Sequence, residues 1–391
     1  MFPFEPLDQI QEEDLQKLID EEIQECESID FKLEMYGGTD EDKREMLRDI
    51  ASMANGRGGH IFIGVGENGD GAAAELAGIN DEGCTERITS SCLSNLDPRL
   101  RGLRIRPVPL KNGNCVLVLQ VPRSLNGPHR ITYKGYNQFW KRHERQKQPM
   151  SSEEIGAAFM DRFDGIGKLE TFLLERRRRL ADTLKPLQWF LLLTATPVFL
   201  RDEVLDTRED RLKILLNSPP RRNSSSCSVS CGWPSPTLFG LRAEVGERGE
   251  VEQYLELHRT GHLEFATTSY AFVGPGRSTV RATVVVDLVD SFVRLATSLH
   301  KSASLYSPSV LGLTILAGNP CNPLELEIPT PISANPRKWT EPAVTLPLTY
   351  VDDLGDSHST LVKRLNDRLW NAFGYDECYL VDAQGCITEH N

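Results

Sequence analysis

The stretch from Ile50 to Gly69 reads IASMANGRGGHIFIGVGENG and decides the fold of the first half of the chain. Its first residues end a predicted helix that begins near Asp40, where Thr39 is a suitable N-cap. Gly58 and Gly59 then provide the backbone freedom that a sharp corner requires. The apolar run HIFIGV predicts a short buried strand, and a second glycine-rich turn follows it. This succession predicts a mixed α+β unit.

The residues before this stretch predict a helix and a strand. Apolar side chains at near-helical spacing predict an amphipathic helix over 8–24. Residues 28–35 read SIDFKLEM, in which apolar and polar side chains alternate as in a half-buried strand. We expect Asp30 and Lys32 to share the open face of this strand, because the apolar side chains face the other way.

The residues after the stretch extend the same unit. The pattern predicts a helix over 85–96, strands near 103–109 and 115–122, and a strand pair within 131–142. We therefore assign residues 1–160 to an N-terminal α+β domain with a mixed sheet.

The second half of the chain predicts another α+β unit. Residues 161–236 are interpreted as a helical connector followed by a Ser- and Pro-rich linker. Beyond it, TSYAF (268–272) and STVRATVVVD (278–287) alternate like strands, and helices are predicted over 287–301 and 359–373. Residues 237–391 are therefore assigned to a C-terminal α+β domain that serves as a second lobe, a sensor or a dimerisation unit.

The composition excludes several classes of protein. The chain has 391 residues, of which 39% are hydrophobic and 26% charged, and these values argue against disorder or a fibre. No apolar run approaches the roughly 18 residues that a membrane-spanning helix needs. The N-terminus lacks the features of a secretory signal, and nine cysteines occur without a CxxC pair. We expect a cytoplasmic protein with reduced thiols and no membrane partner.

The charge is unevenly distributed although its net value is −12. Between Arg99 and Lys147 the sequence has twelve basic residues and one acid, Glu144, and four aromatic residues are interleaved with them. Phosphate backbones bind such clusters, and aromatic rings can stack on bases. The candidate nucleic-acid-binding residues are Arg104, Arg106, Arg123, Arg130, Lys134, Lys141, Arg142 and Arg145. The alternative is a solvated basic strand edge that balances the acidic N-terminus.

Two parts of the sequence carry a family resemblance. Residues 25–32 (ECESIDFK) and 50–69 resemble the AlbA-like domain of the Schlafen family, whose pattern is E-x4-E-F-K followed by A-x-A-N-x-x-G-G-x-x-x-x-G-V-x-D. VLVLQVPRS (116–124), Pro128 and residues 136–142 are similar to later pieces of that domain. The resemblance covers roughly residues 20–160. It implies nucleic-acid binding and, in some relatives, a metal-dependent endoribonuclease that acts on structured RNA such as tRNA.

The resemblance also implies a set of site residues. The three carboxylates of the family's active site correspond to Glu25, Asp30 and Glu67. Asp30 stands where the family usually has Glu, and Glu67 where it usually has Asp, so each side chain changes its reach by one methylene. In a prokaryotic setting the implied role resembles stress response or antiviral defence, and the two-lobed Schlafen core suggests a homodimer.

Elementary chemistry gives the same carboxylates a role. Carboxylates on a strand and on a following turn can hold Mg²⁺ or Mn²⁺, which then polarises a phosphate and activates a nucleophile. Lys32 can position a phosphate or neutralise developing charge. The alternative is that the carboxylates are structural and that Asp30 and Lys32 form an ordinary surface pair.

Other motifs are weaker. His258, His262 and Glu264 have a spacing found among metal ligands, but Gly261 lies inside the motif, which we interpret as the end of a helix. No P-loop follows the glycines near Gly64. Three hypotheses therefore remain: a metal-dependent endoribonuclease, a non-catalytic DNA- or RNA-binding regulator, and an interaction protein that recruits a partner through its acidic N-terminus.

Overall fold

The computed structural model divides the chain into two compact units, which are described separately. Unit 1 comprises residues 1–167 and 306–308, and unit 2 comprises 168–305 and 309–391. The structure describes residues 7–124, 126–184, 189–200, 204–247, 250–274, 278–302, 308–317, 323–329, 337–352, 354, 358–382 and 384–387. The predicted connector and linker at 161–236 includes residues outside these ranges, and the predicted domain boundaries stay predictions.

Unit 1 is a mixed α+β structure. Its helices are α1 (Glu12–Asp20), α2 (Asp40–Ala54) and α3 (Cys84–Asn95). Its strands are β1 (Ile29–Lys32), β2 (Gly59–Ile63), β3 (Val65–Glu67), β4 (Ala73–Leu76), β5 (Leu96–Asp97), β6 (Arg104–Pro109), β7 (Cys115–Val121), β8 (Arg130–Ile131), β9 (Gln138–His143) and β10 (Gln146–Pro149). The predicted N-cap of α2 is present, because the Thr39 hydroxyl accepts a hydrogen bond from the Asp42 amide.

The main sheet of unit 1 has the strand order β1-β2-β7-β6, in which β1 and β2 are parallel and the other pairs are antiparallel. Both faces of this sheet are covered. Alternate residues of β7, such as Leu117 and Val118, belong to two different hydrophobic clusters. A second sheet, β10-β9-β8-β5, and the β3-β4 hairpin complete the unit.

The prediction that Asp30 lies on an open face of β1 is wrong. Asp30 is only 3% exposed, and it lies close to Arg142 of β9 and to the carboxylate of Asp49 in α2. Polar groups from these elements enclose it, and Arg142 of β9 forms an ion pair with its carboxylate. The alternation typical of a half-buried strand therefore did not predict that the charged Asp30 is buried.

The glycine corner forms as predicted. Gly58 has φ 72° and Gly59 has φ 156°. A Cβ at Gly59 would lie 2.2 Å from the carbonyl oxygen of Ser28, which accepts the first hydrogen bond between β1 and β2 from the His60 amide. The sheet can begin here only because the residue has no side chain.

We expect Gly59→Ala to lower the free energy of unfolding by about 2–3 kcal/mol, as overpacking against fixed backbone does. Urea denaturation measures this change. Gly69→Ala is the matched control, because no atom lies within 4 Å of its added Cβ. Equal stability of the two variants would contradict the clash.

Unit 2 is built around an antiparallel sheet of eight strands. Its helices are α4 (Ser152–Leu184), of which residues 168–184 belong to this unit, α5 (Asp210–Asn217), α6 (Ala282–Ser302) and α7 (His358–Ala372). Its strands are β11 (Trp189–Pro197), β12 (Ser235–Pro236), β13 (Gly240–Glu247), β14 (Glu250–His258), β15 (Leu263–Thr267), β16 (Phe272–Val273), β17 (Thr279–Arg281), β18 (Ser309–Ala317), β19 (Glu325–Glu327), β20 (Ala343–Thr345) and β21 (Thr349–Val351).

The large sheet has the strand order β12-β13-β14-β15-β11-β18-β20, and β21 also pairs with β18. Helices α6 and α7 contribute to the largest hydrophobic cluster of the chain. The predicted α+β class is confirmed for both units. No helix within the described ranges is long and apolar enough to cross a membrane.

The segment interpreted as a connector and linker differs from expectation. Residues 189–197 form β11 inside the large sheet, and all nine are buried. The Ser- and Pro-rich segment is held in place, because Val229 and Cys231 are buried in the core and the Asp287 carboxylate accepts hydrogen bonds from Ser226. This segment is part of unit 2.

Candidate functional site

A cavity of about 960 Å³ opens on the surface of unit 1. Residues 24–27, which precede β1, line one side, and the hairpin of β9 and β10 lines the other. The lining residues are Gln24, Glu25, Cys26, Glu27, His143, Glu144, Arg145, Gln146 and Gln148. The cavity therefore combines a carboxylate and an arginine implicated by the sequence, Glu25 and Arg145, with a histidine, His143, that the sequence analysis did not single out.

Glu25 is the most unusual ionisable group of this cavity. Its Oε1 accepts a hydrogen bond of 2.9 Å from the Phe31 amide, and its Oε2 lies 3.8 Å from Nη2 of Arg142. Burial, together with the neighbouring Asp30 carboxylate, raises the pKa of Glu25 to about 7. A carboxyl with this pKa can accept and release a proton near neutral pH.

Asp30 lies behind Glu25 and has a different environment. Its Oδ2 accepts a hydrogen bond of 2.5 Å from Lys32, and its Oδ1 accepts one of 2.6 Å from Nη1 of Arg142. Burial alone would raise the pKa of Asp30, but Lys32 and Arg142 together hold it below its usual range. Asp30 is therefore a charged anchor for two cations.

The predicted carboxylate triad is not gathered around one point. Glu67 is the last residue of β3 and is exposed. Its Oε2 lies 3.5 Å from the position that a Cβ atom on Gly71 would occupy. In the described part of the chain, the one set of three His, Cys, Asp or Glu residues with donor atoms within 4.8 Å of one another is His258, His262 and Glu264. Glu25 and Asp30 are neighbours, and Glu67 does not complete a shared site with them.

The arrangement does not fit a resident Mg²⁺ or Mn²⁺ ion. Both oxygens of Asp30 are hydrogen-bonded to cationic groups, and a guanidinium lies between Asp30 and Glu25. Hard divalent ions need several free oxygen ligands at short distance. The predicted metal role of these carboxylates has no support in this geometry.

A buried polar network continues beyond Asp30. Asp49 of α2 accepts hydrogen bonds from the Tyr36 hydroxyl at 2.8 Å and from Lys147 at 2.6 Å. Lys147 also pairs with Glu45. Burial, with the charge of Asp30 nearby, raises the pKa of Asp49. The sequence analysis missed Asp49, whose only signal is an acid on the apolar side of a helix.

Most cations of the predicted basic stripe have hydrogen-bond partners within unit 1, and four of the eight candidates form ion pairs there. The contacts are Arg104 with Asp8, Arg106 with the Leu7 carbonyl, Arg130 with Asp97, Lys134 with Asp40, and Arg145 with the Asp70 carbonyl and Gln24. Arg123 and Lys141 are half-buried, and Arg142 is 2% exposed. Arg142 is therefore not part of the predicted binding surface, because it is buried in an ion pair with Asp30.

The aromatic residues of the stripe also have partners in unit 1. The guanidinium of Arg48 in α2 lies 5.2 Å from the Tyr136 ring and 5.1 Å from the Trp140 ring. The Tyr133 hydroxyl donates a hydrogen bond to Asp40. These contacts fasten β9 and the preceding loop to α2, so the rings have a structural role.

A family match covers most of unit 1. The family model described as Schlafen, AlbA_2 matches residues 25–151. Among solved structures, the chain is similar to the DIP2311 protein from Corynebacterium diphtheriae, with 17% sequence identity and a TM-score of 0.23 over 32% of this chain and 25% of that chain. The chain thus aligns with about a quarter of that protein's length. No curated protein matches.

The family match includes both quoted motifs and the hairpin that lines the cavity, so the resemblance stated from the sequence is confirmed. Residues 25–151 match the Schlafen AlbA_2 family model, and this match indicates nucleic-acid binding by this part of the chain.

Proposed function

We propose that unit 1 binds structured RNA, such as tRNA, and cleaves its backbone by acid–base chemistry at Glu25. The observation that carries the proposal is the pKa of about 7 of a carboxyl that lines an open cavity. Perturbed acids in clefts are typical of catalytic sites. Cleavage of this kind suits a role in stress response or antiviral defence.

The reaction uses the 2′-hydroxyl of RNA as its nucleophile. The ionised Glu25 accepts the proton of that hydroxyl while the 2′ oxygen bonds to the adjacent phosphorus. The bond from phosphorus to the 5′ oxygen breaks, and His143 of the same cavity donates the proton that this oxygen takes up. The products are a 2′,3′-cyclic phosphate and a 5′-hydroxyl end.

Cations around Glu25 provide the complementary charge. Arg145 lines the cavity, and Lys32 and Arg142 lie behind the carboxylate pair. Positive groups fixed near a phosphate favour its binding and stabilise the charge that develops in the transition state.

A second candidate function is nucleic-acid binding without cleavage. It is favoured by the separation of Glu67 from Glu25 and Asp30, which leaves no set of three carboxylates around one ion in the described part of unit 1. In this case the raised pKa of Glu25 results from burial and the neighbouring Asp30 carboxylate and serves no catalytic step.

The chemistry of the substrate and of the buffer separates these alternatives. We expect purified full-length protein to cleave a tRNA mixture in EDTA as well as in Mn²⁺, and to leave 2′-O-methylated RNA and DNA intact. Cyclic phosphate ends, detected by mass spectrometry, identify the nucleophile. Cleavage that requires Mn²⁺ would overturn the metal-free mechanism, and binding without cleavage in any buffer would establish the second candidate.

The rate of cleavage is expected to rise with pH. Glu25 must be ionised to accept a proton, so the rate increases about tenfold per pH unit well below pH 7, and it falls again at high pH because the general acid must be protonated. A series of single-turnover rates from pH 5 to 9 measures this profile. A rate that is independent of pH between 5.5 and 7 would exclude Glu25 as the base.

A further inference from the structure

Histidines pair with carboxylates in both units, but the surroundings of these pairs differ. In unit 2, His262 lies 3.0 Å from Glu264 beside the tight turn between β14 and β15. This motif is a strand-turn-strand, so its interpretation as the end of a helix is wrong. Arg176 donates hydrogen bonds to both oxygens of Glu264, so the motif is a satisfied buried network that does not fit a metal ion. The pair in unit 1, His143 with Glu154, lies instead at an open cavity.

His143 has one bonded and one available ring nitrogen. It is the last residue of β9 and lines the cavity of unit 1. Its Nε2 lies 3.0 Å from Oε1 of Glu154, in the part of α4 that belongs to the same unit. Its Nδ1 makes no hydrogen bond to the described part of the chain. Because a protonated imidazole has an N–H on each nitrogen, His143 can donate one to Glu154 and keep the other for a ligand in the cavity.

The carboxylate of Glu154 is held in place at the start of α4. Its Oε2 accepts a hydrogen bond of 2.9 Å from the Ser151 amide, and the Ser151 hydroxyl accepts one of 3.2 Å from the Glu154 amide. This reciprocal pair is a capping box. The Ser151 amide and the nearby His143 lower the pKa of Glu154, so the carboxyl is ionised at neutral pH. One oxygen thus caps the helix while the other contacts His143.

A second contact keeps α4 beside β9. The Phe139 ring packs edge-on against the Phe159 ring, with 6.4 Å between the ring centroids. Phe139 belongs to the same strand as His143, and Phe159 belongs to the same helix as Glu154. The contact between the imidazole and the carboxylate is therefore supported by packing as well as by charge, which favours a fixed orientation of the ring.

We infer that Glu154 is a positioning residue for His143 in the cleavage reaction, and that Nδ1 of His143 is the atom that gives up the proton. This inference rests on the proposed function and assigns a role to a residue outside the cavity lining. Glu154 acts through the histidine and touches neither the nucleophile nor the phosphate.

The proton transfer balances with these two side chains alone. The Nδ1–H bond breaks, and its proton goes to the 5′ oxygen, which leaves phosphorus with the electron pair of the P–O bond. The imidazole becomes neutral and keeps its Nε2–H on Glu154, so a single tautomer remains. Glu154 stays ionised throughout and exchanges no proton with the RNA.

Glu154→Gln tests this role without removing the helix cap, because Gln also serves at this position of a capping box. We expect the variant to cleave RNA about 10–100-fold more slowly than the wild-type chain, the usual loss when the partner that orients a histidine is removed. His143→Gln is expected to lose about 10²–10⁴-fold, the contribution of a general acid. Glu153→Gln is the matched control, because Glu153 is an exposed acid of the same helical turn, and we expect it to cleave at the wild-type rate.

An RNA with sulfur in place of the 5′ bridging oxygen at the mapped cleavage site separates positioning from a general loss of structure. A thiolate leaves without a proton, because the pKa of a thiol is far below that of an alcohol. We expect Glu154→Gln and His143→Gln to cleave this linkage nearly as fast as the wild type. Glu25→Gln is expected to stay slow on it, because the 2′-hydroxyl must still lose its proton.

Three results would overturn the inference. A wild-type rate for Glu154→Gln on ordinary RNA would remove its positioning role and leave the proposed function standing. A loss that persists on the sulfur linkage would assign Glu154 to the structure of unit 1. A wild-type chain that cleaves neither linkage would refute the proposed function, and the inference with it.

Discussion

Glu25→Gln is expected to lower the rate of RNA cleavage by about 10²–10⁴-fold, the usual contribution of a general base. The amide keeps the shape of the side chain and can still accept the hydrogen bond from the Phe31 amide. It cannot take a proton from a 2′-hydroxyl. RNA affinity, measured by fluorescence anisotropy at fixed salt, is expected to stay nearly unchanged because no phosphate contact is assigned to this carboxyl.

Glu27→Gln is the matched control for this experiment. Glu27 lines the same cavity, but its carboxylate pairs with Arg57 at 3.1 Å. We expect this variant to cleave at close to the wild-type rate. If both variants lose activity equally, the loss reflects the charge of the cavity and not proton transfer at Glu25.

Arg142→Ala is expected to lower the free energy of unfolding by about 3–5 kcal/mol, as the removal of one partner from a buried ion pair does. The carboxylate of Asp30 has only 4% of its side chain exposed and cannot recover the lost bond from water. Arg142 also donates to the Ile29 carbonyl, so the change loosens the contact between β9 and β1. Urea denaturation of the full-length protein measures the loss.

A second variant separates charge from packing at this position. Arg142→Met combined with Asp30→Asn removes both charges and keeps most of the volume, so we expect it to recover a large part of the stability. A loss below about 1 kcal/mol for Arg142→Ala would show that the pair behaves like an exposed one. An unrecovered double variant would assign the effect to packing.

The elements that the sequence predicted well are those with local signals. The helix predicted to begin near Asp40 is α2, and its Thr39 cap and glycine corner are present because they depend on neighbouring residues. The run at 278–287 was predicted as a strand, yet α6 begins at Ala282. Three successive valines favour a strand locally, but burial of this segment in the core of unit 2 outweighs that preference.

The candidate site was predictable only in part. The motif containing Glu25 and Asp30 identified two neighbouring carboxylates, since they are five residues apart. The partner of Asp30 is 112 positions away in the chain, and no local pattern indicates such a contact. The burial of Asp30, the altered pKa of Glu25 and the ion pairs of the basic stripe all depend on contacts of this long-range kind.

Arg145 has a consequence for the thermodynamics of ligand binding. Its guanidinium donates to the Asp70 carbonyl at 2.5 Å and to Gln24 at 2.6 Å, so it links the β9–β10 hairpin to the segment on the opposite side of the cavity. Because hydrogen bonds already link the two sides of the cavity, these sides lose little conformational entropy when a ligand binds. The ordering cost of association therefore falls mainly on the nucleic acid, and rigid, prefolded RNA should bind more tightly than a flexible single strand of the same length.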